Sequence, residues 1–182
     1  RQLSGLLAEI KELLHDNHVL ISTVTGFSIA KMEEVVGKNV HIVRSMPKTA
    51  ISVGKSMTCL CANESGKERL PIAEAIFNGL GTSIVIEEQH MRAATVICAS
   101  GIAFWMRLIR ATTQGGVQLG FDAAEAMKMS MHTAMGAASL LIETGAHPEE
   151  EIDKVTTPRG CTIEGLNEME HQGLSSSLIQ GI

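Results

Sequence analysis

Hydrophobic and polar positions change their spacing about halfway along the chain. In the first half, short apolar runs alternate with stretches in which apolar residues recur at helical spacing. The apolar runs predict strands at 18–24, 40–45, 56–62 and 82–87. The helical stretches predict helices from Leu3 to Leu14, Ile29 to Val36 and Glu68 to Leu80, the last interrupted near Pro71. Strands that alternate with helices favour the final part of a doubly wound sheet.

From about Met91 onward the pattern is helical and strand signals are almost absent. It predicts one long helix from Arg92 to Leu119, bent near Ser100-Gly101, and a second that runs from Asp122 to Glu143. The apolar stripe of this half is rich in Ala, which lets helices approach closely, and in Met, which fills irregular gaps. Two such helices leave apolar surface exposed, so we expect a second copy of the chain to cover it.

Composition and charge limit the classes of partner. The chain has 182 residues, of which 45% are hydrophobic and 3% aromatic, and its formal net charge is −5. Without a run of Lys and Arg it is not expected to bind nucleic acid, and no signal peptide or apolar run of membrane-spanning length is evident. Four scattered cysteines indicate a reducing, cytoplasmic compartment, and Cys59-x-Cys61 is better explained as two residues of one strand face than as a metal pair.

The most informative stretch lies between Asp153 and Ile163. Pro158 fixes φ and Gly160 permits positive φ, so a sharp turn is predicted to lead into a helix that ends near Gly173. The free N–H groups at such a helix start favour a small anion, for example a carboxylate. On local pattern alone, an ordinary capped turn is the commoner outcome.

The wider order of motifs resembles the C-terminal signature of the pyrroline-5-carboxylate reductases, which make proline by NAD(P)H reduction of a cyclic imine. The matching segments are Leu140-Leu141-Ile142-Glu143, His147-Pro148, Asp153-Lys154-Val155 and Pro158-x-Gly160-x-Thr162-Ile163. In that family a Pro-Gly-Gly-x-Thr-Ile turn holds the substrate carboxylate on backbone N–H groups, with the Thr hydroxyl near the ring nitrogen. The resemblance implies substrate binding by Gly160, Cys161 and Thr162, with Thr162 as the catalytic residue. Arg159 replaces a glycine of the family.

The resemblance also implies a cofactor, NADPH or NADH. Val24-Thr25-Gly26, just past a predicted strand, matches the place where the family sets the dinucleotide against backbone. The implied cofactor-binding residues are Thr23, Val24, Thr25, Gly26 and Lys154. Thr23 and Thr25 can alternatively be explained as ordinary residues at the end of a strand. Met46-Pro47-Lys48-Thr49 is similar to the family's Met-Pro-Asn-Thr-Pro, and Lys48 is interpreted as a solvated surface lysine without a chemical role.

Two further motifs are degenerate. Glu87-Glu88 matches an acidic pair whose second member lies near the substrate in the family, and acids at a helix N-terminus are the alternative. The segment 98–104 stands where the family has Ser-Gly-Ser-Gly-Pro-Ala-Tyr, with Cys98 in the place of its first serine. The resemblance thus adds Glu88 and Ser100 to the substrate-binding residues. His132 and His147 are interpreted as a helix-face residue and a helix-entry residue.

The expected fold is α/β followed by all-α. Residues 1–90 would be the remainder of a Rossmann-like dinucleotide-binding domain, and residues 91–182 a helical domain that interlocks with its twin in a homodimer or larger homo-oligomer. No G-x-G-x-x-G occurs in the sequence, and Gly79-x-Gly81 is better explained as a turn, so we expect the first strands and the phosphate loop to be missing. The chain on its own is therefore not expected to turn over substrate.

Two other functions stay open at this point. A hydroxy-acid dehydrogenase of similar two-domain build would carry a Lys followed at i+4 by Asn on the long interdomain helix, and residues 100–119 contain neither. A non-catalytic dimerisation module is the second, and NADPH binding would distinguish it from an enzyme.

Overall fold

The structure, a computed structural model, describes residues 2–182 and divides into two units, 2–100 and 101–182. The first unit contains a four-stranded mixed sheet in the order β1-β2-β3-β4. The strands are β1 Val19–Ser22, β2 His41–Met46, β3 Ser56–Ala62 and β4 Gly81–Val85. The domain boundary expected between residues 90 and 91 stays a proposal.

Strand direction changes once across the sheet. β1 pairs with β2 in parallel, β3 pairs with β4 in parallel, and β2 pairs with β3 antiparallel, with Met46 opposite Cys59. The reversal follows from the short connection between β2 and β3, which holds a single 3-10 turn, Thr49–Val53, closed by Gly54 at φ 65°. A parallel pair would need a crossover of a dozen or more residues. The carboxyl ends of β1 and β2 therefore lie at one edge.

Helices cover both faces of this sheet, as the alternation of elements predicted. They are α1 Gln2–Ile10, α2 Ile29–Val36, α3 Leu70–Asn78 and α4 Met91–Ala94, and α4 continues into a π-helical segment, Thr95–Ser100. Neighbouring residues of β2 point to opposite faces, so Ile42 packs in a cluster with Met32 of α2, and Val43 packs with Phe77 of α3.

Local sequence signals explain several element ends. Ser28 caps α2 by accepting a hydrogen bond from the Lys31 N–H, and Gly37 ends that helix at φ 91°. Pro71 does not interrupt α3, because it lies in the first turn, where its missing N–H costs little. The π-helical segment Thr95–Ser100, a common form of helix irregularity, lies where the bend near Ser100-Gly101 was expected, and the bend itself stays a prediction.

The second unit is entirely helical. Its helices are α5 Gly101–Gln118, α6 Ala123–Thr144, α7 Pro148–Val155, α8 Cys161–His171 and α9 Leu174–Gly181. Small residues bring α5 and α6 together, since a Cβ at Gly116 would lie only 3.0 Å from the Cβ of Ala126. Asp122 caps α6 through the Ala124 N–H, and His147 caps α7 through the Glu149 N–H.

This unit leaves large apolar side chains exposed. Leu119 and Ile142 are 82% and 81% exposed, and Trp105 is 65% exposed. The helical stretch Glu88–Gln118 is long and apolar enough to cross a membrane by length and composition, contrary to the sequence-based expectation. One such helix is weak evidence, because core and interface helices of non-membrane proteins pass the same test.

A buried amide joins the loop after β3 to β2. Asn63 Oδ1 accepts hydrogen bonds from the Ile42 and Gly66 N–H groups at 3.0 and 2.8 Å. Its Nδ2 donates to the Val40 carbonyl and to Glu33 Oε1, each at 3.0 Å. Every hydrogen-bonding atom of the side chain is therefore satisfied by the fold.

We predict that Asn63→Ala lowers the free energy of unfolding of the full-length protein by about 2–4 kcal/mol, because two buried backbone N–H groups lose their acceptor. Urea unfolding followed by circular dichroism measures this. Ser65→Ala is the control. The Ser65 hydroxyl only adds a donor to the Val40 and Lys38 carbonyls and to Asn63 Oδ1, and each of these acceptors keeps another donor, so this variant should change little. Equal effects of the two variants would contradict the assignment.

Candidate functional site

A cavity of about 560 Å³ lies at the carboxyl ends of β1 and β2, where ligands bind in sheets of this type. The turn after β1 supplies Val24, Thr25 and Gly26, and Gly26 has φ 79°. Ser45 and Met46 come from β2, and Met91, Arg92, Thr95 and Val96 come from the helical segment after β4. Three of the residues predicted to bind the cofactor therefore line one cavity. Thr23 precedes them and is exposed.

Glu88 also lines this cavity, and its carboxylate already has two protein partners. Oε1 accepts from Arg44 Nη1 at 2.6 Å and from the Ile29 N–H at 2.8 Å. The alternative that Glu88 is an acid at a helix N-terminus applies to two helices. Glu88 begins the 3-10 turn Glu88–His90 that leads into α4, and its carboxylate accepts the first N–H of α2. Its predicted contact with substrate stays a proposal.

The charges around the cavity favour an anion. Arg44 is neutralised by Glu88, whereas Arg92 forms no ion pair within residues 2–182. Together with the backbone of the turn after β1, this leaves excess positive potential on the wall. A phosphate or carboxylate group is the chemistry that such a wall would bind.

Lys48 is not a solvated surface residue, so that interpretation is wrong. It is 7% exposed, and its backbone N–H donates to Ser56 Oγ at 3.0 Å. Burial lowers the pKa of its ammonium group, while the nearby Cys98 and Cys59 thiols act in the opposite direction. The available signal was a lysine two residues after the end of a buried strand. Its burial became evident only when β3 was placed beside β2.

The two cysteines of β3 belong to the core. This agrees with their interpretation as two residues of one strand face. Cys59 and Cys61 lie in the cluster with Met46 and Met91. Burial raises the pKa of the Cys61 thiol to about 11; the Glu88 carboxylate adds to the rise, and Arg44 opposes it. The thiol is therefore neutral and poorly nucleophilic near neutral pH.

Folding raises this pKa from its ordinary value of 9.0, so the folded protein holds the Cys61 proton more tightly than the unfolded chain does. The resulting contribution to the free energy of unfolding is complete below pH 9. This contribution is lost as the pH rises towards 11, where the folded thiol also ionises. The loss amounts to up to about 2.7 kcal/mol for a two-unit difference. We expect the urea midpoint of the full-length protein to fall between pH 9 and 11, less steeply in Cys61→Ala. Cys161→Ala, at an exposed thiol, should keep the wild-type slope. An unchanged slope in Cys61→Ala would contradict the prediction.

The turn before α8 differs from the predicted one in a single respect. Positive φ falls on Arg159, at 60°, and not on Gly160, which has φ −83° and caps α8. Gly160 is needed for space instead, because a Cβ there would lie 2.4 Å from Thr157 Oγ1 and 3.0 Å from the Thr157 carbonyl oxygen. Arg159 is the only non-glycine residue with positive φ in the described part of the chain.

Thr162 is the second residue of α8, so its N–H and that of Cys161 belong to the unpaired first turn. Cys161 is exposed and Thr162 half-buried, and the Thr162 hydroxyl has no hydrogen bond to any side chain or backbone group described. This helix start offers N–H donors and one free hydroxyl side by side.

The other predicted residues lie elsewhere. Lys154 is in α7, where its ammonium group pairs with Glu151 Oε1 at 2.5 Å and remains largely exposed. Ser100 is exposed at the end of the π-helical segment.

Sequence reasoning missed Arg44 and Arg92. An arginine within a strand or a helix gives no sign of a role in a site until its neighbours in the fold are known.

We predict that Arg159→Gly raises the free energy of unfolding by about 1 kcal/mol. Glycine adopts left-handed φ without the roughly 1–2 kcal/mol that a side chain costs there. Part of this gain is offset, because glycine gives the unfolded chain more conformational entropy. Gly160→Ala, next to it, should destabilise through the contact with Thr157. Urea midpoints of both full-length variants test this pair. A loss of stability in Arg159→Gly would show that the arginine side chain makes a stabilising contact.

Comparison with known proteins gives consistent results. Residues 88–182 match the family model described as pyrroline-5-carboxylate reductase dimerisation. Across its full length the chain is 49% and 42% identical to pyrroline-5-carboxylate reductases 1 and 2 of Dictyostelium discoideum. It covers 35% and 66% of those two proteins. It is also 31% identical to the reductase of Methanosarcina acetivorans, over 99% of this chain and 67% of that protein.

Solved structures agree with the sequence comparison. A pyrroline-5-carboxylate reductase from Coxiella burnetii superimposes with a TM-score of 0.93 at 28% identity, over 99% of this chain and 68% of that one. The Plasmodium falciparum pyrroline carboxylate reductase, solved with NADP bound, gives a TM-score of 0.85 at 27% identity, over 98% and 72% of the two chains.

Proposed function

This chain belongs to the pyrroline-5-carboxylate reductase family, and we propose that the protein containing it reduces 1-pyrroline-5-carboxylate to L-proline with NADPH or NADH. The observation that carries the proposal is the match of the whole chain to relatives of that name at up to 49% identity. Because the chain spans only part of the length of those relatives, the activity is proposed for the full-length protein. The proposed setting is proline biosynthesis in the cytoplasm.

The cavity of the first unit fits a dinucleotide. It lies at the carboxyl ends of two parallel strands, and its wall carries the backbone of Thr25 and Gly26 and the cation of Arg92. These groups would hold part of the cofactor, in line with the predicted roles of Thr23, Val24, Thr25 and Gly26. When bound, the nicotinamide supplies the hydride that reduces the imine carbon.

The start of α8 fits the carboxylate of the substrate. Free N–H groups at Cys161 and Thr162, next to the Gly160 cap, would bind both carboxylate oxygens with the help of the helix dipole. The Thr162 hydroxyl, which has no protein partner among residues 2–182, would donate to the ring nitrogen and orient it. Catalysis then depends on orientation and on charge placement, without a covalent nucleophile.

The proposed roles of three other residues follow from their surroundings. Glu88, fixed by Arg44 and the Ile29 N–H, presents a static negative charge on the cavity wall. Ser100 and Lys154 have solvent-exposed positions that leave them available to substrate and to cofactor, respectively.

The direct test is the NADPH- and NADH-dependent reduction of pyrroline-5-carboxylate by the full-length protein, followed at the absorbance of the reduced nicotinamide. Conversion of the imine to proline is expected. Tight NADPH binding without turnover would overturn the proposed reaction. Absence of NADPH binding would favour the alternative of a non-catalytic dimerisation module.

A homodimer or a larger homo-oligomer is proposed as the functional assembly. The second unit exposes Leu119, Ile142 and Trp105, and this region matches the dimerisation model of the family. Removal of such side chains from water is what drives association. A sedimentation coefficient of a monomer at micromolar concentration would contradict this proposal.

We predict that Thr162→Ala lowers kcat of the full-length enzyme by about tenfold to a thousandfold, since a hydroxyl that bonds the ring nitrogen mainly in the transition state is lost. KM should rise only moderately, because the backbone N–H groups still hold the carboxylate. Thr162→Ser keeps the hydroxyl and should retain most of kcat. An unchanged kcat with a lower urea midpoint would show that Thr162 is only a helix-start residue.

A further inference from the structure

The guanidinium group of Arg44 uses only part of its hydrogen-bonding capacity within the fold. Its Nη1 donates to Glu88 Oε1 at 2.6 Å, and this is the one hydrogen bond that the group forms with residues 2–182. An arginine also carries N–H donors on Nε and Nη2. These donors have no acceptor in the described part of the chain, although the side chain is only 13% exposed.

The donors that remain lie next to open space. No buried side-chain nitrogen or oxygen among the described residues lacks a hydrogen-bond partner. The unpartnered Nε and Nη2 of Arg44 are therefore accessible, and the open space that Arg44 borders is the cavity of about 560 Å³. Polar groups of a mostly buried side chain are nearly always satisfied, so donors left free at a cavity wall indicate a bound acceptor.

Neighbouring elements hold this donor group in place. The Glu88 oxygen that accepts from Arg44 also accepts from the Ile29 N–H at 2.8 Å, so the carboxylate is anchored to the start of α2. Arg44 itself lies in β2 between the buried residues Val43 and Ser45. A donor that is fixed before the ligand arrives loses little side-chain entropy on binding, and this favours affinity.

The charges on the cavity wall determine which acceptor suits Arg44. Its charge is compensated by Glu88, whereas Arg92 on the same wall forms no ion pair within residues 2–182. A phosphate or carboxylate of a ligand therefore gains more at Arg92. An uncharged oxygen still gains a hydrogen bond at Arg44, since a hydrogen bond does not require a net charge on the wall.

We propose that Arg44 is a cofactor-binding residue that donates to an uncharged oxygen of the dinucleotide, either the carboxamide carbonyl or a ribose hydroxyl. This contact rests on the proposed function, which places NADPH or NADH in the cavity, and it adds a side-chain donor to the backbone of Thr25 and Gly26 on the same wall. Glu88 is then the group that fixes the orientation of Arg44.

The test compares the affinities of full-length variants for NADPH, measured from the fluorescence of the reduced nicotinamide at low and at high salt. Arg44→Lys keeps a cation that can pair with Glu88 but loses the planar fork of donors. We expect it to bind NADPH about tenfold more weakly than the wild type at both salt concentrations, because one hydrogen bond is lost. Its urea midpoint should stay close to that of the wild type.

Arg92→Met is the matched control. Its loss of affinity should shrink at high salt, because salt screens the attraction between exposed charges. The double variant Arg44→Met/Glu88→Gln leaves the summed charge of the pair unchanged and keeps an oxygen acceptor for the Ile29 N–H. It should lose as much affinity as Arg44→Lys, since both lack the same donors.

A second ligand, 2′-phospho-ADP-ribose, distinguishes the two acceptors because it lacks the nicotinamide. If Arg44→Lys binds it as tightly as the wild type does, the acceptor is the carboxamide carbonyl. If the variant binds it more weakly, the acceptor is a ribose hydroxyl.

Unchanged NADPH affinity in Arg44→Lys, with wild-type turnover of pyrroline-5-carboxylate, would overturn the contact and leave the proposed reaction intact. A loss of affinity that disappears at high salt would assign a phosphate to Arg44 and would also overturn the contact. NADPH binding by the wild type without turnover would overturn the proposed reaction alone. Absence of NADPH binding by the wild type would overturn both.

Discussion

The ion pair of Arg44 with Glu88 connects three elements that are distant in sequence. Arg44 belongs to β2, Glu88 follows β4, and the same carboxylate oxygen accepts the Ile29 N–H at the start of α2. Arg44 is mostly buried, so removal of its partner would leave an uncompensated charge in a desolvated place, which is the costly way to break an ion pair. The contact also fixes the point at which the chain leaves β4 and crosses the sheet towards β2. The wall of the cavity depends on it.

Core packing then holds the crossing segment in place. Met91 and Cys98 pack against Met46, Cys59 and Cys61, so the helical segment after β4 lies on the same sheet face as α2. The reversal between β2 and β3 makes this possible, since it places the start of β3 beside the carboxyl end of β2. It also encloses Lys48, whose backbone N–H donates to Ser56 at the start of β3. The burial of this lysine is thus a consequence of the strand reversal.

The turn before α8 shows how a local constraint supports a proposed binding site. Thr157 leaves no space for a side chain at Gly160, and the chain reaches this geometry by placing Arg159 in the left-handed region. Strained backbone of this kind often occurs where a ligand must be held. Here it directly precedes the Gly160 cap and the first turn of α8, which contains the N–H groups of Cys161 and Thr162.

The sequence alone determined the local elements and the family resemblance. Asp122 and His147 stand at helix starts where predicted, and β3 covers the predicted 56–62, because capping and strand alternation depend on neighbours in sequence. The tertiary structure decided the direction of β3, the burial of Lys48, the partners of Glu88 and the choice of Arg159 over Gly160 for positive φ. These features depend on contacts between segments far apart in sequence, or on the space that a neighbouring side chain occupies. The pattern of residue types along the chain gives no information on such contacts or on that space.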